Sequence, residues 1–152
     1  MIGIRKANKS DLELIEYFTL NMINESDRYA KLGVNPSKVM QTVGSFIESD
    51  DKGVVLMAQF NGAIVGGFIG ALSDEWCSDN FTAFDLVNYI DPEFRSLGVS
   101  RELVQAFIQW AKERGAKFVN CGTNTGVNTE HAIKLYGSMG FVNQGVFMEL
   151  EL

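Results

Sequence analysis

The segment YIDPEFRSLGVSREL, residues Tyr89 to Leu103, joins an apolar strand-like run to a long amphipathic helical pattern. Gly98 stands directly before that helix, between the small side chains of Ser96 and Ser100. The first turn of a helix has amide N–H groups without partners inside the helix and carries the positive end of its dipole. A turn of small residues lets an anion approach those amides, although the same pattern alone also fits an ordinary turn. The segment predicts a strand, a tight turn and a helix.

The flanking segments extend this unit into a complete α/β order. Apolar runs at 54–60 and 63–73 flank Asn61 and Gly62, the pair best suited to a type I′ hairpin turn. Strands are predicted at 2–7, 54–60, 63–73, 81–90, 116–123 and 146–152, and helices at 8–23, 37–49, 98–115 and 129–140. This order, β-α-α-β-β-β-α-β-α-β without a linker or a repeat, predicts one α/β domain over residues 1–152 with one parallel crossover.

The bulk composition limits the class of protein. The chain has 152 residues and a net charge of −6, so no basic surface is expected to bind nucleic acid. Two cysteines and one histidine are too few for a disulfide framework or a structural zinc site. The N-terminal sequence lacks the apolar core of a signal peptide, and no run reaches membrane-spanning length. We therefore expect a cytoplasmic protein that uses no metal and binds neither nucleic acid nor a membrane.

Three motifs resemble those of the GNAT family of N-acetyltransferases. Residues 88–100, NYIDPEFRSLGVS, resemble its acyl-CoA-binding pattern L-Y-V-x-P-x-[YF]-[RQ]-x-x-G-x-[GA]. Residues 4–15, IRKANKSDLELI, are similar to its first strand and helix, and residues 131–141, HAIKLYGSMGF, to its closing A-x-x-[LF]-Y-x-x-x-G-F. The motifs occur in the family's order and cover essentially the whole chain. The resemblance implies an α/β fold with a mixed, mostly antiparallel sheet of about six to seven strands, helices on both faces and two splayed central strands.

The resemblance implies acetyl-CoA as the co-substrate. The backbone of Asn88, Tyr89 and Ile90 would pair with its pantetheine arm as a neighbouring strand does. The pyrophosphate would lie on amides at the start of the helix, with a cationic side chain at the rim. The residues implied for this part of the site are Arg95, Ser96, Leu97, Gly98, Val99 and Ser100. Both serines depart from the glycine or alanine usual in the family, and Thr129 stands where the family often has asparagine.

The resemblance also suggests catalytic residues. Tyr136 matches the motif tyrosine and would protonate the departing thiolate, because a phenol with a pKa of about 10 is protonated at neutral pH. The bare sequence equally allows a core aromatic at this position. Phe84 occupies the place of the family's glutamate base, and the adjacent Asp85 would point to the opposite face unless a β-bulge shifts the register. A carboxylate of the acidic loop, such as Glu75, or a chain of water molecules is an alternative route for the amine proton.

The expected function is transfer of an acetyl group from acetyl-CoA to a primary amine of a small-molecule or peptide acceptor, directly in a ternary complex. A catalytically silent acyl-CoA-binding or regulatory domain and a nucleotide- or phosphate-binding module stay open as alternatives. The final strand, VFMELEL, leaves an edge that could pair with a second copy in a homodimer. Acidic residues in two connectors favour a cationic acceptor, namely Glu25, Asp27, Asp74, Glu75 and Asp79.

Overall fold

The computed structural model describes residues 1–123 and 125–152, and within them the chain forms five strands and five α-helices. The strands are β1 (Ile2–Lys6), β2 (Gly53–Phe60), β3 (Ala63–Asp74), β4 (Phe81–Ile90) and β5 (Ala116–Asn120). The helices are α1 (Leu12–Asn24), α2 (Asp27–Leu32), α3 (Pro36–Glu48), α4 (Val99–Glu113) and α5 (Thr129–Ser138). Short 3-10 helices cover Lys9–Asp11 and Pro92–Leu97.

The strands form one sheet in the order β1-β2-β3-β4-β5. The first four strands are antiparallel to their neighbours, and β5 is parallel to β4 because α4 carries the chain back across the sheet. The predicted hairpin between β2 and β3 is confirmed, since Asn61 and Gly62 both have positive φ, 49° and 88°. The mixed, mostly antiparallel character of the sheet is confirmed as well.

Helices cover both faces of the sheet, as predicted. On one face, Phe18 of α1 and Val43 of α3 pack on Met57 of β2. On the other face α4 buries Leu103, Val104 and Phe107 completely. A Cβ added at Gly70 of β3 would lie 2.2 Å from the ring of Phe107, so glycine allows α4 to approach the sheet closely. This close packing fixes the position of the N-terminus of α4 relative to β4.

The two central strands, β4 and β5, separate after a short paired stretch. Their register runs from Phe81 with Ala116 to Phe84 with Asn120, and residues 85–90 of β4 have no partner in β5. The gap between the two strands therefore opens toward the end of β4 that leads into α4. This is the predicted pair of splayed strands.

The predicted number of strands is wrong, because the described residues contain five and not six or seven. The difference is the C-terminal tail, residues 142–152, whose predicted strand at 146–152 does not form. Ion pairs tie this tail to α2 instead of to a sheet edge, from Glu149 to Arg28 at 2.7 Å and from Glu151 to Lys31 at 3.4 Å. An alternating pattern predicts a strand only where a partner strand is available.

Helix α2 is a further difference, since no helix is predicted between those at 8–23 and 37–49. Ser26 caps it by accepting a hydrogen bond from the backbone N–H of Tyr29. None of the helices among the described residues has the length and apolar character needed to cross a membrane.

Candidate active site

A β-bulge in β4 determines which way Asp85 points. Opposite β3, Val87 pairs with Ile69 and Asp85 pairs with Gly70, so Leu86 is the extra residue. In a regular strand without the bulge, Asp85 would share a face with Val87, two residues away, which packs against α1 and α3. The bulge instead places Asp85 on the α4 side of the sheet. The sequence predicted this orientation only on the condition of a bulge, and the structure contains that bulge.

The side chain of Asp85 connects the two splayed strands with α5. Its Oδ1 accepts a hydrogen bond from the backbone N–H of Gly122, just after β5, at 3.2 Å. Its Oδ2 accepts a long hydrogen bond, 3.5 Å, from the hydroxyl of Tyr136 on α5. The structure thus brings together the two residues expected to be catalytic, at the point where pairing between β4 and β5 has just ended.

Burial changes the acidity of this cluster. Desolvation raises the pKa of Asp85 from 3.8 to about 6, although the N–H of Gly122 and the hydroxyl of Tyr136 act in the opposite direction. Desolvation also raises the pKa values of Tyr136 and of the Cys121 thiol, and the nearby charge of Asp85 raises both further. At neutral pH the cluster therefore holds a weakly basic carboxylate beside a protonated phenol, a combination suited to proton transfer.

The loop between β4 and α4 presents free backbone at the start of the helix. Gly98 is the N-cap of α4 and has a φ of 80°, a conformation that favours glycine. A Cβ built at this position meets no atom within 4 Å, so the space above the glycine is open. Ser96 and Leu97 are exposed beside it. Because α4 is 15 residues long, its first-turn amides and its dipole can attract an anion placed in this space.

The open edge of β4 offers backbone groups to a ligand in the gap. The N–H of Asp91 donates to the carbonyl of Val65 in the β3 direction, at 2.9 Å. Since hydrogen-bonding direction alternates along an antiparallel strand, Asn88 and Ile90 direct their backbone groups into the gap, and Tyr89 directs its own toward β3. An extended ligand entering the gap would meet the edge of a strand here.

The side chain of Arg95 folds back onto the end of β4. Its Nε donates to the carbonyl of Ile90 at 2.8 Å, and its guanidinium lies 5.3 Å from the ring centroid of Tyr89. Its Nη2 forms a 2.7 Å ion pair with Glu25 at the end of α1. The charge expected at the rim of the anion site is thus held on the α1 side of the loop.

The side chain of Asn88 explains one departure from the family pattern. Its Nδ2 donates to Oγ of Ser100 at 2.8 Å, which joins β4 to the first turn of α4. Glycine or alanine at position 100 could not accept this bond. Within the described residues, the buried Oδ1 of Asn88 has no hydrogen-bond partner.

The acidic loop between β3 and β4 leads into the start of β4. The Glu75 carboxylate accepts a very short hydrogen bond from the hydroxyl of Thr82, whereas Asp74 and Asp79 are exposed. Trp76 is 95% exposed and is free of packing constraints that would prevent it from contacting a ligand. No group of three or more metal-ligating side chains occurs in residues 1–123 and 125–152.

Two contributors to the site were missed by the sequence. Gly122 carries no local pattern that marks it as a hydrogen-bond donor to Asp85. Ser26 donates through its hydroxyl to the carbonyl of Thr125, at 3.0 Å, in the loop that follows β5. The position of Ser26 before a short amphipathic stretch indicates a helix cap, but nothing in the sequence indicates its contact with the distant Thr125.

Comparison with protein families gives a match over most of the chain. The model described as the acetyltransferase (GNAT) family matches residues 14–141. An uncharacterized N-acetyltransferase from Methanocaldococcus jannaschii is 34% identical over 58 residues, which are 38% of this chain and 25% of that protein. The matched region therefore spans about a quarter of the length of this relative.

Solved structures with the same fold cover the whole chain. The aminoglycoside N-acetyltransferase AAC(6′)-Iy, in complex with the bisubstrate analogue CoA-S-monomethyl-acetylneamine, superposes with a TM-score of 0.78 at 17% identity. The alignment covers 100% of this chain and 98% of that chain. A transcriptional regulator from Bacillus halodurans C-125 superposes with a TM-score of 0.75 at 19% identity, with 100% of both chains covered. At these identities the likeness concerns the fold alone.

Proposed function

The chain belongs to the GNAT acetyltransferase family, and from this membership we propose that it transfers an acetyl group from acetyl-CoA to a primary amine. Acyl transfer is the general activity that the family supports. The finer statement rests on the pair formed by Asp85 and Tyr136 beside the open gap between β4 and β5. Both substrates would be bound at once, with the donor in the open gap between β4 and β5 and the acceptor amine close to Asp85.

Three features of this chain fit an acyl-CoA donor. The open space above Gly98 and the first-turn amides of α4 suit its pyrophosphate. The backbone groups of Asn88 and Ile90 that face the gap suit the amide-rich pantetheine arm. The proposed cofactor-binding residues are those implied by the family motif, from Asn88 to Ile90 and from Arg95 to Ser100, except that the backbone of Tyr89 is directed toward β3 and would not pair with the arm. When bound, the donor supplies an activated thioester.

The proton balance can be followed through two residues. The Asp85 carboxylate accepts a proton from the neutral amine as its nitrogen forms a bond to the acyl carbon. The carbon–sulfur bond breaks, and the Tyr136 hydroxyl gives its proton to the departing sulfur. The proton on Asp85 then returns to the tyrosine oxygen along the 3.5 Å hydrogen bond. The backbone N–H of Asn88, which is directed into the gap, would stabilise negative charge developing on the carbonyl oxygen.

The experiment is a thiol-release assay with acetyl-CoA and a panel of primary amines, between about pH 5 and 8. Relative to Asp85→Asn, whose profile reflects only protonation of the amine substrate, we expect the kcat/KM of the wild type to fall by a further factor of about ten for each pH unit below about 6, as Asp85 becomes protonated. Asp85→Asn should lower kcat roughly 100-fold or more and remove this acidic limb, and Tyr136→Phe should lower kcat with little effect on KM. An Asp85→Asn variant with an unchanged pH profile would show that another group is the base.

A second candidate is a catalytically silent acyl-CoA-binding or regulatory domain. Phe84 at the position of the family's glutamate favours it, and the fold is shared with a transcriptional regulator. This alternative predicts that coenzyme A binds, but that thiol release with acetyl-CoA stays at the background rate for every amine. The assay above therefore separates the two functions.

We propose that the acceptor is cationic. Glu25 is occupied by Arg95, so the negative charge available at the acceptor side comes from Asp27, Asp74 and Asp79, which are exposed, and from Glu75. Replacement of Asp74, Glu75 and Asp79 by the corresponding amides should raise the KM for polyamines. It should leave the KM unchanged for a primary amine that has no second cationic group. A KM for polyamines that stays at the wild-type value in the variant would contradict a cationic acceptor.

We propose further that the protein forms a homodimer through the C-terminal tail. The even-numbered apolar side chains of the tail, namely Val142, Val146, Met148, Leu150 and Leu152, are between 73% and 113% exposed. Glu149 and Glu151 form ion pairs with Arg28 and Lys31 of α2, while the apolar side chains of the tail remain exposed to solvent. The same face of a second copy is the occupant that matches it, because two-fold packing sets apolar against apolar.

A further inference from the structure

The junction between α1 and α2 contacts the loops that follow both splayed strands. The Oε1 of Glu25 is 2.7 Å from the Nη2 of Arg95, in the 3-10 helix after β4. The hydroxyl of Ser26 donates to the carbonyl of Thr125, in the loop after β5, at 3.0 Å. Two consecutive residues therefore reach both sides of the gap.

Each of these contacts is anchored at its far end. Arg95 also donates to the carbonyl of Ile90, the last residue of β4, at 2.8 Å, and its guanidinium lies against the ring of Tyr89. Ser26 is only 2% exposed, and its hydroxyl also accepts from the N–H of Tyr29 at the start of α2. The junction is therefore linked through Arg95 to the end of β4, and through the hydroxyl of Ser26 to the loop after β5.

The gap needs such a contact because the strands do not determine its width. Pairing between β4 and β5 ends at Phe84 and Asn120, so ladder hydrogen bonds do not set the separation beyond that point. At the closed end, Asp85 accepts from the N–H of Gly122. The junction acts at the opposite, open end, beyond Ile90.

We propose that Glu25 and Ser26 form a brace across the open end of the gap, which holds the ends of β4 and β5 at the separation that admits the pantetheine arm. This inference rests on the proposed function, since it assigns both residues to coenzyme A binding. They are positioning residues, because they act through Arg95 and Thr125 and not on the reacting atoms. Glu25 accordingly serves the donor side and not recognition of the acceptor.

A brace works only if both the Glu25–Arg95 and the Ser26–Thr125 contacts are present. Loss of either contact should therefore have the same effect as loss of both. Glu25→Gln, which removes the negative charge paired with Arg95, and Ser26→Gly, which removes the hydroxyl bonded to Thr125, should each raise the Kd of coenzyme A about tenfold. Glycine at position 26 removes the hydroxyl but retains most of the helix-capping preference. The double variant should bind no more weakly than the weaker single variant, whereas two independent contributions would multiply to about 100-fold.

The measurement is isothermal titration calorimetry with coenzyme A, accompanied by amide hydrogen exchange of the ligand-free protein. Exchange should increase at residues 86–90 and 121–123 in both single variants, because the two sides of the gap are no longer held. Glu149→Gln is the matched control, since it breaks the Arg28 ion pair of the adjacent α2 without touching either side of the gap. It should change neither the Kd nor the exchange at these residues.

The outcomes separate the brace from the proposed function. Multiplicative effects on Kd, or unchanged Kd and exchange in the single variants, would overturn the brace. A wild-type chain that binds no coenzyme A would overturn the proposed function, and the exchange measurement would then decide the brace alone. Increased exchange in the Glu149→Gln control to the same extent would also overturn the brace, because the effect would not be specific to the junction.

Discussion

At the scale of single residues, burial determines the chemistry of Asp85. Its pKa of about 6, against an ordinary 3.8, reflects desolvation that hydrogen bonds to the carboxyl group only partly offset. A carboxyl group with a raised pKa favours the folded state when it is protonated. Its contribution to stability is therefore complete below pH about 4 and is lost as the pH rises through about 6.

This gives a prediction for unfolding. We expect the free energy of unfolding of the wild type to fall between pH 4 and pH 7, relative to that of Asp85→Asn, by on the order of 2 kcal/mol. The comparison is between the two proteins because carboxylates such as Asp11 and Asp50, whose pKa values are lowered by partners, change stability in the opposite direction in both. Urea unfolding at the two pH values measures the difference. A constant offset between the two proteins would contradict a raised pKa.

An alanine substitution at Gly98 tests the proposed anion site, and the same substitution at Gly115 is its control. Both have positive φ, 80° and 78°, and in both cases a Cβ would meet no atom within 4 Å. Alanine at either position should cost about 1 to 2 kcal/mol of stability through backbone strain alone. We expect only Gly98→Ala to weaken coenzyme A binding as well, because only its Cβ enters the proposed anion space. Equal affinities for the two variants in calorimetry would remove the anion site from this loop.

At the scale of elements, strand β4 orients the Asp85 carboxylate and also leaves its backbone free at the gap beside α4. The bulge at Leu86 turns Asp85 to the side of Tyr136, and the end of pairing with β5 frees the backbone after Phe84. Helix α4 must then lie close to the sheet for its N-terminus to stand beside the open edge. Gly70 permits this, because the ring of Phe107 occupies the space of a side chain at that position.

A pair of substitutions tests this packing. Gly70→Ala should destabilise the protein by about 1 to 3 kcal/mol, since Phe107 is completely buried and cannot move without disturbing the core. Phe107→Leu in the same chain should recover part of this loss by making room for the new methyl group. The loss for the double variant should be smaller than the sum of the single losses in urea unfolding. Simple additivity would mean that the two residues do not compete for the same space.

At the scale of the whole molecule, the C-terminal tail is the segment whose apolar side chains are not buried. The exposed apolar side chains of the tail form a continuous run that a partner surface would bury. The net charge of −6 argues against an anionic membrane surface as the cover. A second copy of the chain is the occupant that we propose.

Analytical ultracentrifugation tests this proposal. The wild type should sediment as a dimer, and Met148→Glu combined with Leu150→Glu should sediment as a monomer, because four like charges would meet across the two-fold axis. Trp76→Glu is the control, as it changes an equally exposed aromatic side chain outside the tail. A monomeric wild type at its highest soluble concentration would contradict the dimer.

The sequence by itself determined the elements that local rules govern. The Asn61-Gly62 turn, the strand over 81–90 and the long helix predicted over 98–115 follow from turn chemistry, alternation and helical periodicity, which act over a few residues. Motif resemblance supplied the family, and with it the splayed strands and the candidate residues Asp85 and Tyr136.

Only the tertiary structure decided how distant segments meet. Whether Asp85 faced Tyr136 depended on one extra residue in the pairing of β4 with β3, which the sequence of β4 alone does not encode. The tail was predicted as a strand because its side chains alternate, yet no sheet edge pairs with it, and Arg28 and Lys31 hold its glutamates against α2. The contact from Ser26 to Thr125 joins residues 99 positions apart. Such contacts depend on the packing of the complete chain, and local sequence patterns carry no record of them.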